Sequence, residues 1–253
     1  MTLSLALPDD PVATSRGTVR AFALAVLPGL ALSVAAMVVC HAVLGASLGL
    51  FFAGVFVCAL LVPPLAVAEA GLARPVVAAG AVVAGVAGVW LYVILRPHAE
   101  GEPYPRLEQW PPCVLVAAAF AAALAGVALV LRFVRVTPAV ASFVTMLVGL
   151  AWLTWPVWMS PWIAGRDELV AALVRPHPPL AVNGVLVGEA GMWHQRQFAY
   201  HLTTLDQDVP YVLPTSVWPA VVLHGIVGGV CLGTVGLLPL ARRRRATASP
   251  DRS

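Results

Sequence analysis

Long apolar runs, broken by short polar or proline-bearing segments, set the pattern of this chain. A membrane-spanning helix needs about 20 predominantly apolar residues. Six stretches meet that need: residues 18–44, 46–72, 75–95, 112–133, 138–159 and 217–240. Pro75, Pro112 and Pro138 open three of them, in the first helical turn, where a missing N–H costs nothing. The pattern predicts an all-α, polytopic integral membrane bundle of about six transmembrane helices over residues 18–240, with tails at 1–17 and 241–253.

The fifth and sixth runs are separated by more than fifty residues, 160–216. Loops longer than about 15 residues are usually functional or disordered. This one contains Trp162, Trp193, Phe198, Tyr200 and Tyr211 among spaced aliphatics, a composition that predicts order. Residues 167–174 place two acidic residues first and then Leu169, Val170, Leu173 and Val174, the pattern of a short interfacial helix, which Pro176, Pro178 and Pro179 stop. Residues 180–190 are apolar but too short to span, and are expected to be interfacial or re-entrant. Residues 191–205 read as a further short helix with His194 and His201 on a shared face.

Composition strengthens the membrane assignment. The chain is 60% hydrophobic and 11% charged, with mean hydropathy +0.89, whereas a soluble domain is roughly half apolar and a quarter charged. All 15 basic residues are arginine, a bias of GC-rich coding that points to a bacterium. With the N-terminus inside, ten arginines (16, 20, 74, 132, 135, 242–245 and 252) fall on the cytoplasmic side and five (96, 106, 166, 175 and 196) on the other. The positive-inside rule then predicts an N-in, C-in protein of the bacterial plasma membrane, with the 160–216 loop extracytoplasmic. The first residues lack a basic start and a cleavage site and read as a cytoplasmic tail. The basic C-terminal run suits anionic lipid and not nucleic acid. All eight tryptophans fall at or beyond the expected outer helix ends, as an interfacial belt would require, and so do all six histidines.

Candidate chemistry gathers on that outer side. His177, Glu189, His194, His201, Asp206 and Asp208 lie within 32 residues. Imidazole and carboxylate donors suit zinc, copper or iron, so His177, Glu189, His194 and His201 are candidate ligands of a metal or haem site. Their spacing matches no H-E-x-x-H motif. His194 and His201 would stand about 10 Å apart along a helix, too far to share one ion. The stretch 198–219 is dense in polar and aromatic side chains and runs straight into the last helix. Its Tyr200, Asp206, Gln207, Asp208 and Tyr211, with His224 beyond them, form the predicted functional surface.

Small residues carry a second signal. Gly225, Gly229 and Gly233 recur every fourth position in the last helix, Gly45, Gly49 and Ala53 do so in the second, and the third is rich in alanine and glycine. Such spacing lets helix backbones approach closely in lipid, inside the bundle or against a partner helix. No span carries an acidic or basic residue near its centre, which argues against ion-coupled transport. No C-x-x-C pair occurs. Cys40 and Cys113 sit at outer helix ends and suit a disulfide if the first and fourth helices are neighbours. There is no G-x-S-x-G elbow and no nucleotide-binding loop.

The leading expectation is a non-enzymatic accessory, assembly or anchoring subunit of a bacterial plasma-membrane complex, with the lipid bilayer and other membrane subunits as its partners. One alternative is a metal- or haem-handling membrane protein with an extracytoplasmic His/carboxylate site. Another is a permease, or the membrane subunit of a transporter, for a neutral or lipidic substrate.

Overall fold

The computed structural model describes residues 11–44, 47–68, 72–96, 105–187 and 212–247. Among the described residues every regular element is helical. The α-helices are α1 (Pro11–Leu44), α2 (Ser47–Ala68), α3 (Ala73–Leu95), α4 (Trp110–Phe133), α5 (Pro138–Leu153), α6 (Trp155–Trp158), α7 (Asp167–Val174), α8 (Pro178–Val187) and α9 (Trp218–Thr247). Single 3-10 turns at Leu107–Gln109 and Ser160–Trp162 precede α4 and follow α6.

Among the described residues five helices are long and apolar enough to cross a bilayer: the spans Val26–Val43, Gly49–Ala68, Ala73–Leu95, Leu107–Phe133 and Trp218–Leu237. A multi-pass membrane protein follows from them. The sixth expected span is shorter than its apolar run. α5 holds 16 residues, roughly 24 Å against a hydrocarbon core of about 30 Å. Pro156 has no N–H to offer the Trp152 carbonyl, and the Val157 N–H turns back to Thr154 O at 2.9 Å. The helix stops at Thr154 and restarts as the single turn of α6.

α2, α3 and α4 form the centre of the bundle. α1 packs on α3 and α2, α5 on α2 and α4, and α9 on α4. In the inner three spans 61% of residues are buried, against 17% for α1 and α9, so the latter two are peripheral. Glycine sits where backbones come closest. A Cβ at Gly85 of α3 would collide with Ser33 Oγ of α1, and one at Gly54 of α2 would collide with the Trp90 ring of α3. Between α4 and α9, a Cβ at Gly126 would lie 2.8 Å from Cys231 Cβ and one at Gly228 would lie 2.9 Å from the Ala122 backbone. In lipid, where apolar side chains gain nothing by leaving the solvent, this close approach is the main source of helix–helix attraction.

Tryptophan departs from the belt expectation. Trp90 is fully buried, donates to Leu50 O at 3.1 Å and stacks on Phe51 with centroids 4.9 Å apart. Trp155 is also buried. Each contributes a large apolar area to the interior, and Trp90 keeps its indole N–H satisfied there. Trp158, Trp162 and Trp218 are exposed, as a belt requires.

The α4–α5 turn closes with Arg135 at φ +70°. The Arg135 N–H donates to Arg132 O and the Val136 N–H to Leu131 O, each at 3.0 Å, which is a Schellman ending. Pro138 then opens α5 as its sequence predicts. All four cysteines are free, so Cys40 and Cys113 are not paired.

Candidate functional site at the cap of the bundle

α6, α7 and α8 form a cap over one end of the bundle. α7 covers the acidic-then-apolar segment the sequence marks, with Asp167 and Glu168 in its first turn. α8 is the apolar segment too short to span. It tucks Ala181, Val182 and Leu186 into the main core against α2 and α4. Gln109, at the start of α4, donates to Val185 O at 2.7 Å and Leu186 O at 3.2 Å, which satisfies carbonyls at the end of α8.

His177 lies in the turn between α7 and α8 and is 1% exposed. Its backbone is fixed on both sides: its N–H donates to Val174 O at 3.2 Å and its carbonyl accepts from the Ala181 N–H at 2.9 Å. Its Nε2 lies 3.1 Å from Leu153 O. A carbonyl only accepts, so Nε2 carries the proton and Nδ1 holds a lone pair. Val157 N–H is spent on Thr154 O, and the imidazole takes its place at the Leu153 carbonyl. His177 therefore plugs the break that Pro156 makes in the α5–α6 helix. Burial pushes its pKa from 6.5 down to about 3, against the smaller upward effect of the Leu153 and Trp152 carbonyls, so the ring is neutral.

Aromatic rings surround it. Trp152 and Trp155 each present an edge to His177 at 5.7 Å, with interplanar angles of 75° and 74°. Trp155, Ile163, Val170 and Val174 form a small buried core of their own beneath α7. Trp152 also lies 6.3 Å from the His224 ring. His224 is buried in α9, donates from Nδ1 to Ala220 O at 2.7 Å, and meets Phe120 of α4 edge-on at 5.3 Å. Its hydrogen bond stays within its own helix, and its ring serves as packing between α9, α4 and α5. Three polar atoms in this cluster, His177 Nδ1, Trp152 Nε1 and Trp155 Nε1, are buried without a hydrogen-bond partner among the described residues.

Beside the small core a cleft of about 680 Å³ opens between α7 and the segment leading into α9. Val170 and Ala171 line it on one side and Pro214 and Pro219 on the other, with Asp167, Arg175, Thr215 and Ser216 as its polar groups. It has room for a small polar molecule or for a loop of another protein.

Of the sequence-predicted site residues, the structure brings His177 and His224 into one aromatic cluster. Glu189, His194, Tyr200, His201, Asp206, Gln207, Asp208 and Tyr211 lie outside the described residues. Among the described residues no three His, Cys, Asp or Glu side chains converge on a point where a metal ion would fit. His177 has already committed Nε2 to Leu153. Among the described residues Gly225, Gly229 and Gly233 pack against nothing: a Cβ at any of them meets nothing within 4 Å. Gly228, on the other side of α9, makes the close contact with α4.

Trp152, Trp155 and Pro156 are the cluster members that sequence reasoning passes over. Trp-x-x-Trp-Pro near the end of an apolar run was the available signal, because proline so placed frees carbonyls that a buried donor must then satisfy. No family model, no curated protein and no solved structure matches this chain.

Proposed function

We propose that this chain is a non-enzymatic accessory, assembly or anchoring subunit of a bacterial plasma-membrane complex, lying N-in and C-in with its cap outside. One observation carries the reading. Among the described residues α9 packs chiefly on α4, and on the side away from it Gly225, Gly229 and Gly233 stand open at every fourth position. Glycine gives a helix no packing surface of its own, so a groove of this kind is useful only when another backbone enters it. Val222, Ile226 and Val230 flank the groove and are exposed, as ridges for a partner helix would be. The closed, neutral His177 supports a structural role for the cap and offers no accessible acid–base pair.

The test is blue-native electrophoresis of membranes solubilised in mild detergent, comparing wild type with Gly229→Leu. The proposal expects a wild-type band well above the monomer mass of 26.4 kDa. It expects Gly229→Leu to run as the monomer with an unchanged melting temperature, because the new side chain meets nothing among the described residues. A wild-type band at the monomer mass, with no co-purifying protein, contradicts it.

A further inference from the structure

We propose that the groove between α1 and α3 is a binding site for an anionic phospholipid, with one acyl chain in the groove and the phosphate against Arg96 at its rim. The proposal rests on the bilayer setting and is independent of the subunit reading.

The groove has a volume of about 370 Å³. Leu30, Val34 and Val38 of α1 form one wall, and Ala84, Gly88 and Tyr92 of α3 form the other. Its floor exists because α3 has small residues here: Gly88 leaves open space, and Gly85 lets Ser33 of α1 come close. From Leu30 to His41 the groove runs eleven residues of helix, roughly 16 Å. Half of a hydrocarbon core of about 30 Å is about the same length. The groove therefore spans one leaflet and ends where headgroups lie.

Polar chemistry is confined to that end. Arg96 Nη1 lies 3.3 Å from His41 Nε2. A guanidinium only donates, so Nε2 is the acceptor and His41 carries its proton on Nδ1. That Nδ1 is buried, so His41 serves to hold the guanidinium in place. Arg96 forms no ion pair among the described residues. A fixed positive charge, held in place at the mouth of an apolar leaflet-length channel, complements a phosphate esterified to acyl chains. Tyr92, 65% exposed at the same level, has the amphipathic shape suited to the interface.

The experiment is native mass spectrometry of the full detergent-purified chain with phosphatidylglycerol or phosphatidylcholine of identical acyl chains. Wild type is expected to retain the anionic lipid roughly fivefold over the zwitterionic one, the effect of about one arginine near a headgroup. Arg96→Gln should bring the two to parity, and Gly88→Leu, which fills the groove at an open position, should lower retention of both. Equal retention by wild type overturns the proposal, as does a preference that survives Arg96→Gln or retention unaffected by Gly88→Leu. The wild-type comparison stands even if a variant fails to fold. It needs no protein partner, so it fails or succeeds separately from the electrophoresis above.

Discussion

His177 shows how one side chain can repair a backbone. Pro156 denies the end of α5 a helical donor, and the buried imidazole supplies one to Leu153 O. His177→Phe keeps the ring volume and the tryptophan contacts but leaves that carbonyl unsatisfied. A loss of about 1–3 kcal/mol is expected by thermal or chemical unfolding in detergent. His177→Gln, which retains an N–H donor, should recover part of it. The ring also makes stability pH-dependent. Its folded pKa of about 3 lies below the ordinary 6.5, so the unfolded chain binds the extra proton between these values. The contribution is complete above about pH 6.5 and is lost as pH falls towards 3, at up to about 1.4 kcal/mol per unit. Melting temperatures taken at pH 7.5 and 5.0 should therefore fall on acidification in wild type, and fall less in His177→Gln. Sequence alone marked this histidine as unusual and offered it as one candidate metal ligand. The signal it lacked was the pairing of the Pro156 break with a donor some twenty residues on, which only the folded cap brings together.

At the scale of the element, small residues sort by face. Gly126 of α4 and Gly228 of α9 meet where their helices cross, while Gly225, Gly229 and Gly233 face away. Glycine spacing of four was legible in the sequence, but its facing was not. A four-residue row drifts round a helix of 3.6 residues per turn, and Gly228 sits a single position from the open row. Gly228→Leu forces a side chain into the Ala122 backbone and should cost about 1–3 kcal/mol by thermal unfolding, against little change for Gly225→Leu. Equal stability of the two variants would reverse the assignment of faces. α7 was fully legible because its acidic start, apolar stripe and proline stop agree. α5 was overestimated because hydropathy continues through Pro156 although the helix does not. Trp90 and Trp155 were assigned to the interface by their place in sequence. Both are interior residues: Trp90 fills the space that Gly54 of α2 leaves, and Trp155 packs in the small core beneath α7.

For the whole molecule, the account is a bundle with α2, α3 and α4 at its centre and α1, α5 and α9 around them, capped at one end by α6, α7 and α8. The number of crossings decides where the termini lie. Five crossings separate them and six bring them together, so the short α5 is the element on which topology turns. The proposed N-in, C-in arrangement needs six, with α5 crossing despite its 16 residues. The apolar length of each helix could be read directly from sequence, because lipid imposes a single dimension on every span. The cap could not, because its order depends on contacts among α4, α5, α7 and α8 that no local pattern specifies.

The most direct measurement is side-chain accessibility in intact cells. Single cysteines at Ser15, Ser216 and Ala246, in a background lacking the native thiols, are treated with a membrane-impermeant maleimide before and after permeabilisation. The account predicts immediate labelling at 216, and labelling at 15 and 246 only after permeabilisation. Labelling of positions 216 and 246 from the same side would contradict it.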